Sequence, residues 1–169
     1  NVDWLGYDVD IDDSGNTVIG GAFGSDIFDT RAGYIRVYEY DGSDWNQKGS
    51  TIFGLAAQDS FGENVAISDD GNTIAASSLS VGYVKVYDWD TSASDWVLRD
   101  TFNQENTNDR FGNNLRMYGS GGNETLLIGS ESYDISGNDN AGKLYKIKYT
   151  NKVSSQTSIV GSAGDHYHE

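Results

Sequence analysis

One phrase of this sequence occurs three times, and the repetition constrains the fold more than any single residue does. Residues 59–75 hold the clearest copy, residues 3–19 hold a second, and residues 109–115 hold the start of a third. The glycine that the copies share recurs after 56 and then 50 residues, at Gly6, Gly62 and Gly112. Periods of this length predict an array of similar modules, each of which packs against its neighbours.

Each module is predicted to consist of four short strands. Its segments are β-branched or aromatic and are bounded by Gly, Asp, Asn and Ser, which is typical of strands joined by tight turns. Asp70 and Gly71 join the first two strands of the middle module, because Asp-Gly supplies the positive φ angles of a hairpin turn. No segment has the apolar spacing of a helix, so the fold class is all-β. In the middle module the strands are expected near residues 63–68, 73–78, 82–89 and 96–102.

Four antiparallel strands repeated at this period are typical of β-propeller blades. The sequence predicts three blades, over residues 3–58, 59–108 and 109–164, with residues 165–169 as the start of a further repeat or a frayed end. A sandwich or a stack of flat sheets is the alternative. Because closed propellers have four or more blades, three blades form an open arc or part of a larger propeller. Its two uncovered end faces are expected to resemble the faces buried between blades.

The charge of the chain limits the partners that it can bind. With 26 acidic and 11 basic side chains the net charge is −15, which repels nucleic acid and anionic lipid. No apolar stretch is long enough to span a bilayer, so membrane insertion is not expected. The chain has no cysteine, which excludes disulfides, thiolate zinc sites and a cysteine nucleophile. Aromatic residues make up 12% of the chain, which favours a folded domain despite the acidity.

The segments 61–75 and 84–89 resemble the FG-GAP-like repeats of integrin-type β-propellers, and look closest to repeats in secreted or surface proteins of algae, protists and bacteria. The resemblance implies a propeller used for adhesion or assembly. One part of the pattern differs: integrin-type blades carry calcium in a long loop between their first two strands, whereas residues 69–72 form only a tight turn. That turn is too short to supply six or more oxygen ligands, so no calcium is expected there.

The last blade carries two further features. Lys146 stands where the other blades carry Val37 and Val86, which predicts a bulged or shifted third strand. Asn123 begins an Asn-Glu-Thr triplet in the turn between two strands, and such a triplet is an acceptor for N-glycosylation. A glycan at this turn would point to solvent, which favours a secreted protein.

No group of residues predicts catalysis, a cofactor or a metal site. The chain has no nucleophile elbow, no phosphate-binding loop and no histidine placed beside a nucleophile. Two acidic loops, around residues 26–29 and 134–140, offer carboxylate and amide oxygens, but they lack the ligand spacing of a calcium loop and are interpreted as solvated turns. His166 and His168 lack a third metal ligand and are interpreted as part of a frayed end.

The function predicted from these observations is a non-enzymatic, extracellular or cell-surface scaffold for adhesion or assembly. Its partners are expected to be other proteins, or copies of the chain, that dock on the end blades, with glycans as a further class. The first alternative is a carbohydrate-binding module that stacks sugars on Trp45, Trp89 and Trp96. The second is a propeller enzyme that acts on polysaccharide, which requires two carboxylates that converge in a pocket.

Overall fold

The computed structural model describes residues 3–135 and 140–161. Within these ranges all regular structure is β: thirteen strands form three antiparallel sheets, and no helix occurs. The described residues accordingly contain no helix that is long and apolar enough to cross a membrane. The all-β fold class is confirmed. The predicted end segment 165–169 lies outside the described residues.

The first sheet contains five strands, four of which follow one another across the sheet in chain order. They are β1 (Val9–Ile11), β2 (Thr17–Gly21), β3 (Tyr34–Tyr40) and β4 (Trp45–Gln47). The short strand β5 (Ile52–Phe53) pairs with the opposite end of β3. β4 and β5 together therefore occupy the place of one long outer strand.

The second and third sheets contain four strands each, again in chain order. The second comprises β6 (Val65–Ile67), β7 (Thr73–Ser78), β8 (Tyr83–Asp90) and β9 (Asp95–Asn103). The third comprises β10 (Phe111–Tyr118), β11 (Thr125–Ser130), β12 (Lys143–Thr150) and β13 (Val153–Val160). In the second sheet every strand end lies within about two residues of the position expected from the sequence. One sheet falls within the described part of each predicted blade.

Side-chain hydrogen bonds close the first hairpin turn of the first two blades. The carboxylate of Asp12 accepts a hydrogen bond from the Thr17 N–H at 2.9 Å, and in the second blade the Ser68 hydroxyl accepts one from the Thr73 N–H at the same distance. Gly71 has a φ of +66°, in the left-handed region that the predicted Asp-Gly turn requires. Because each turn is short and internally bonded, it fixes the register of its hairpin.

Each blade has two faces, since successive residues of a strand point to opposite sides of the sheet. We call the face turned toward the preceding blade in the chain the leading face, and the face turned toward the following blade the trailing face. A joint between blades packs a trailing face against a leading face, and each of the two joints forms one cluster of buried apolar side chains. The first cluster includes Ile19, Ile35 and Val37 with Val65, Ile67 and Ile74, and the second includes Ala75, Val84 and Val86 with Leu115, Leu126 and Ile147.

Strand β12 is regular, so the bulge or shift predicted from Lys146 is wrong. The strand pairs without interruption with β11 and with β13. Its side chains alternate, with Tyr145 and Ile147 buried on the leading face and Lys146 exposed on the trailing face. The irregularity of this blade lies in β10, where the pairing with β11 shifts between Phe111 and Leu115. Lys146 fits a regular strand because no following blade covers it within the described residues.

Candidate functional site

The leading face of the first blade is an uncovered apolar surface. Ile11, Val18 and Tyr38 lie side by side across β1, β2 and β3, which makes one row of the face. The side chain of Ile11 is 53% exposed, and that of the neighbouring Val9 is 66% exposed. Apolar side chains on the first strand of the sheet are therefore directed to solvent.

The same row is buried in the second blade. It consists of Ile67, Ile74 and Tyr87, whose registers match those of the first blade, and it is at most 8% exposed because the first blade covers it. Burial raises the pKa of Tyr87 to about 12, with a smaller contribution from the negative charge of Asp59. The two rows consist of similar side chains, and they differ because only the row of the second blade is covered by another blade. The prediction that an end face resembles a buried face is confirmed for the first blade.

A cavity of about 540 Å³ lies on this uncovered face. Leu5, Val9, Ile11 and Tyr38 are among the residues that line it. Asp10 also belongs to the lining, but its carboxylate is directed to the first joint on the other face, where Oδ2 accepts a hydrogen bond from the Ile67 N–H at 3.0 Å. Its Oδ1 accepts one from the Ile11 N–H, also at 3.0 Å. The cavity thus offers apolar contact and no free acid–base pair.

At the first joint, carboxylates of the first blade accept hydrogen bonds from the backbone N–H groups at the free edge of β6, the inner strand of the second blade. Asp8 Oδ2 accepts a hydrogen bond from the Val65 N–H at 2.8 Å, and Asp10 bonds the Ile67 N–H two residues further along β6. An Asp-x-Asp strand of one blade thus covers the free edge of the next. On β1 the corresponding N–H groups belong to Val9 and Ile11, and the described residues place no preceding strand beside them.

A buried charged cluster locks the second joint. Arg99 on β9 binds the carboxylate of Asp88 in its own blade, with a Nε–Oδ2 distance of 2.9 Å, and reaches across to Glu124 of the third blade, with a Nη1–Oε2 distance of 2.8 Å. Glu124 is fully buried and also accepts a hydrogen bond from the Gly122 N–H at 2.8 Å. The guanidinium lies 4.7 Å from the centre of the Tyr149 ring. The charges are therefore paired, desolvated and shared by two blades.

The pKa values of Asp88 and Arg99 are both shifted in the direction that favours the charged form. Burial disfavours the charge on Asp88, but hydrogen bonds from Arg99 and Lys152 outweigh that effect and lower the pKa of Asp88. Burial acts against the charge of Arg99 as well, and its bonds to Asp88 and Glu124 outweigh it and raise the pKa of Arg99. The cluster is a structural lock, since each carboxylate is committed to a fixed partner.

The first joint has a milder version of the same lock. Lys48 takes the place of Arg99, and its ammonium lies 3.2 Å from Glu39 Oε1 and 3.1 Å from the carbonyl oxygen of Gly71. The ammonium lies 5.3 Å from the centre of the Trp89 ring and 5.9 Å from that of Trp96, and the Trp96 indole N–H donates to the Lys48 carbonyl oxygen at 2.8 Å. Trp89 and Trp96 contact each other with ring centres 5.3 Å apart. These two side chains belong to the joint and do not form a flat sugar-stacking surface.

The trailing face of the last blade differs from those of the other two. The trailing rows of the first and second blades are Asp10–Ile19–Val37 and Ala66–Ala75–Val86, and the corresponding row of the last blade is Arg116–Leu127–Lys146. Arg116 and Lys146 are exposed. The prediction that both end faces resemble buried faces is therefore wrong for the last blade, because long cationic side chains occupy positions that hold Ala and Val at a joint.

The remaining predicted residues are scattered. Asn123 is exposed in the turn between β10 and β11, where its Nδ2 donates to the Gly121 carbonyl oxygen at 3.3 Å. In the first acidic loop Asp26 Oδ1 accepts a hydrogen bond from the Arg31 N–H at 2.8 Å. Residues 3–135 and 140–161 contain no group of three or more His, Asp or Glu side chains that could hold a metal ion. His166 and His168 lie outside the described residues, as does part of the second acidic loop.

Comparisons with known proteins give the fold and nothing finer. No family model matches the chain, and no curated protein matches it. Among solved structures it is similar to Sqt1 of Saccharomyces cerevisiae, with a TM-score of 0.57 and 11% identity over 95% of this chain and 35% of that one. It is also similar to a putative 6-phosphogluconolactonase from Bacteroides uniformis, with a TM-score of 0.60 and 10% identity over 96% of this chain and 42% of that one. The chain spans less than half the length of either protein.

These likenesses support one prediction and overturn another. Both neighbours are propeller-type proteins, so the three sheets are β-propeller blades, as predicted. Neither neighbour points to an extracellular adhesion role, and the predicted function of an extracellular adhesion scaffold is wrong. Fold likeness at this identity carries no activity to this chain.

Proposed function

We propose that this chain is a protein-binding segment of a β-propeller and that its binding surface is the leading face of the first blade. One observation carries the proposal: in the row Ile11–Val18–Tyr38 the first side chain is exposed and the other two are half-buried, whereas the counterpart Ile67–Ile74–Tyr87 is buried by a neighbouring blade. Full burial of one such aliphatic side chain contributes about 1.5–3 kcal/mol. A partner that covers this face would therefore gain substantial apolar contact.

The first joint indicates the chemistry of that partner. The leading face of the second blade is covered by a sheet that presents Ile19 and Val37, with Asp8 and Asp10 on its inner strand. A partner sheet of the same type, with carboxylates two residues apart, would place one acceptor beside the Val9 N–H group and a second beside the Ile11 N–H group, which donates to Asp10 Oδ1 in the chain alone. A second copy that docked by its last blade would place Arg116 and Lys146 in this position, which fits less well.

A cysteine-labelling experiment tests the docking surface, because the chain has no native cysteine. A copy of residues 59–108 is fused ahead of residue 3, so that its trailing row, Ala66–Ala75–Val86, can cover the first blade. Ile11→Cys is then alkylated in the fused and the unfused chain. We expect alkylation of the fused chain to be at least about tenfold slower, since buried groups react only through local opening.

Two controls make the experiment decisive. Val153→Cys reports an exposed strand far from the face, and its rate should not change on fusion. A fused copy that carries Ala66→Arg and Val86→Lys imitates the last blade and should leave Ile11→Cys as reactive as in the unfused chain. Equal protection by both fused copies, or no protection by either, would contradict the proposal.

Binding rather than catalysis is proposed, because the cavity is lined mainly by apolar residues and the carboxylate of Asp10 is directed away from it to the first joint. Membership of the FG-GAP-like repeats rests on the repeated phrases 61–75 and 84–89. Secretion and glycosylation at Asn123 stay predictions. The intact mass of protein secreted from eukaryotic cells, compared with that of Asn123→Gln, would check both.

A further inference from the structure

Positive charge is concentrated in the last blade. Residues 3–58 carry ten acidic and three basic side chains, and residues 59–108 carry nine and two, whereas residues 109–164 carry five and six. The strands of the last blade are more biased still, because Arg116, Lys143, Lys146 and Lys148 are their only charged residues. A polar end face on so acidic a chain needs no positive charge for solubility.

Three of these cations share the trailing face. Lys146 and Lys148 are exposed on β12, and Arg116 lies in the same row as Lys146 two strands away. Within the described ranges neither lysine forms an ion pair, and Arg116 Nη1 donates only to the carbonyl oxygen of Leu115, at 2.7 Å. Lys143, on the other face of β12, is by contrast paired with Glu105 at 2.6 Å. In the part of the chain that the structure describes, the three cations of the trailing face thus have no acidic partner.

Each element of a joint is changed on this face. The acid of the lock is Glu39 in the first blade and Asp88 in the second. In the last blade, Lys148 stands at the same register position. The cation that completes the lock, Lys48 or Arg99, has no counterpart on β13, which carries no charged residue. Because a lysine replaces the acid of the lock and its cation is missing, the face does not match another blade of this chain's own type.

We propose that the trailing face of the last blade binds an acidic, extended segment of another protein. Lys146 and Lys148 are about 7 Å apart along β12, which equals the spacing of alternate residues in an extended chain. Leu144 continues the same line and is 40% exposed, and Ile159 beside it on β13 is 70% exposed. A segment with one aliphatic side chain followed by acidic side chains at alternate positions complements this line.

A peptide-binding experiment tests the proposal on the full chain. The probe is a fluorescein-labelled peptide of sequence Val-Ser-Glu-Ser-Glu-Ser-Glu, and its control carries Gln in place of each Glu. We expect saturable binding of the acidic peptide alone, and binding that weakens as salt screens the exposed charges. Lys148→Glu should weaken it by about fivefold or more, because it removes an attraction and adds a repulsion.

A matched variant separates a specific face from a general charge effect. Arg110→Glu changes the net charge by the same amount at an exposed arginine paired with Glu131, outside the four strands. It should leave peptide affinity within about twofold of the unmodified chain. Equal loss in the two variants, or no binding by the unmodified chain, would overturn the proposal.

Two further measurements distinguish nucleic acid and a second copy of the chain as occupants of this face. A labelled single-stranded oligonucleotide that bound more tightly than the acidic peptide would overturn the proposal in favour of nucleic acid. Sedimentation of the chain alone that showed a dimer broken by Lys148→Glu would overturn it in favour of a second copy. A monomer that binds the peptide, and whose unfolding curve is unchanged by Lys148→Glu, would support it.

Discussion

The two joints between blades share one plan and differ in chemistry. Each places a cation at the outer strand of one blade, an acid on the strand beside it and an acceptor at the first turn of the next blade. In the first joint the acid, Glu39, is 55% exposed and the acceptor is a backbone carbonyl. In the second joint the acceptor is Glu124, which is fully buried. Repetition of a fold therefore does not repeat its energetics, because desolvation decides how much each charge depends on the others.

The largest expected effect is the loss of the cation of the second joint. Arg99→Met should lower the free energy of unfolding by about 3–5 kcal/mol, since it leaves the buried carboxylate of Glu124 without its counter-charge. Urea unfolding followed by tryptophan fluorescence measures the change. Arg110→Met is the control, because its partner Glu131 is exposed and its loss should cost at most about 1 kcal/mol. Similar values for the two variants would contradict the view that the second lock is desolvated.

The next largest effect separates a covered leading face from an open one. Ile67→Ala should cost about 2–4 kcal/mol because it leaves a cavity in the first joint. Ile11→Ala makes the same change at the equivalent position of the first blade, where the side chain is 53% exposed, and should cost less than about 1 kcal/mol. Thermal or urea unfolding measures both. An equal cost would mean that the first-blade face is already covered in solution.

Alternating patterns and turn residues predicted the strands well, because both act within one blade. The strands of the middle blade lie close to their expected positions, and the Asp70-Gly71 turn forms. The same alternation could have predicted β12, where Tyr145 and Ile147 alternate with lysines, but a comparison of Lys146 with Val86 alone suggested a distortion that is absent. A residue that differs between repeats can mark a change of environment rather than of backbone.

The joints were not predictable from the sequence in the same way. Whether Arg99 meets Glu124 depends on how two sheets stack, and a period of about 50 residues does not give that distance. Glu124 therefore counted only as the middle residue of a glycosylation triplet, and the sequence left open whether Trp89 and Trp96 stack on sugars or pack between blades. Function was even less predictable from the sequence, because proteins with unrelated activities share this fold.

Acid should weaken the second joint through Asp88. The pKa of this carboxyl lies below its ordinary value of 3.8, so the unfolded state takes up a proton first as the pH falls. The stability that Asp88 contributes is therefore present above about pH 4 and is lost as the pH falls through the lower folded pKa. We expect a loss on the order of 1 kcal/mol, as for a typical intramolecular hydrogen bond, because Asp88 is only partly desolvated. Asp88→Asn should flatten the dependence of urea stability on pH in this range, and an unchanged slope would contradict the assignment.

The smallest expected effect is at the acid of the first joint. Glu39→Gln should change the free energy of unfolding by no more than about 0.5 kcal/mol, because an exposed carboxylate gains little from an ion pair in water. Lys48 would keep its bond to the Gly71 carbonyl oxygen and its contact with the Trp89 ring. The same substitution type at the other lock, Glu124→Gln, should cost several times more, since the carboxylate there is buried against Arg99. Urea unfolding measures both substitutions. An equal loss of stability in the two variants would mean that the difference in desolvation between the joints has no energetic consequence.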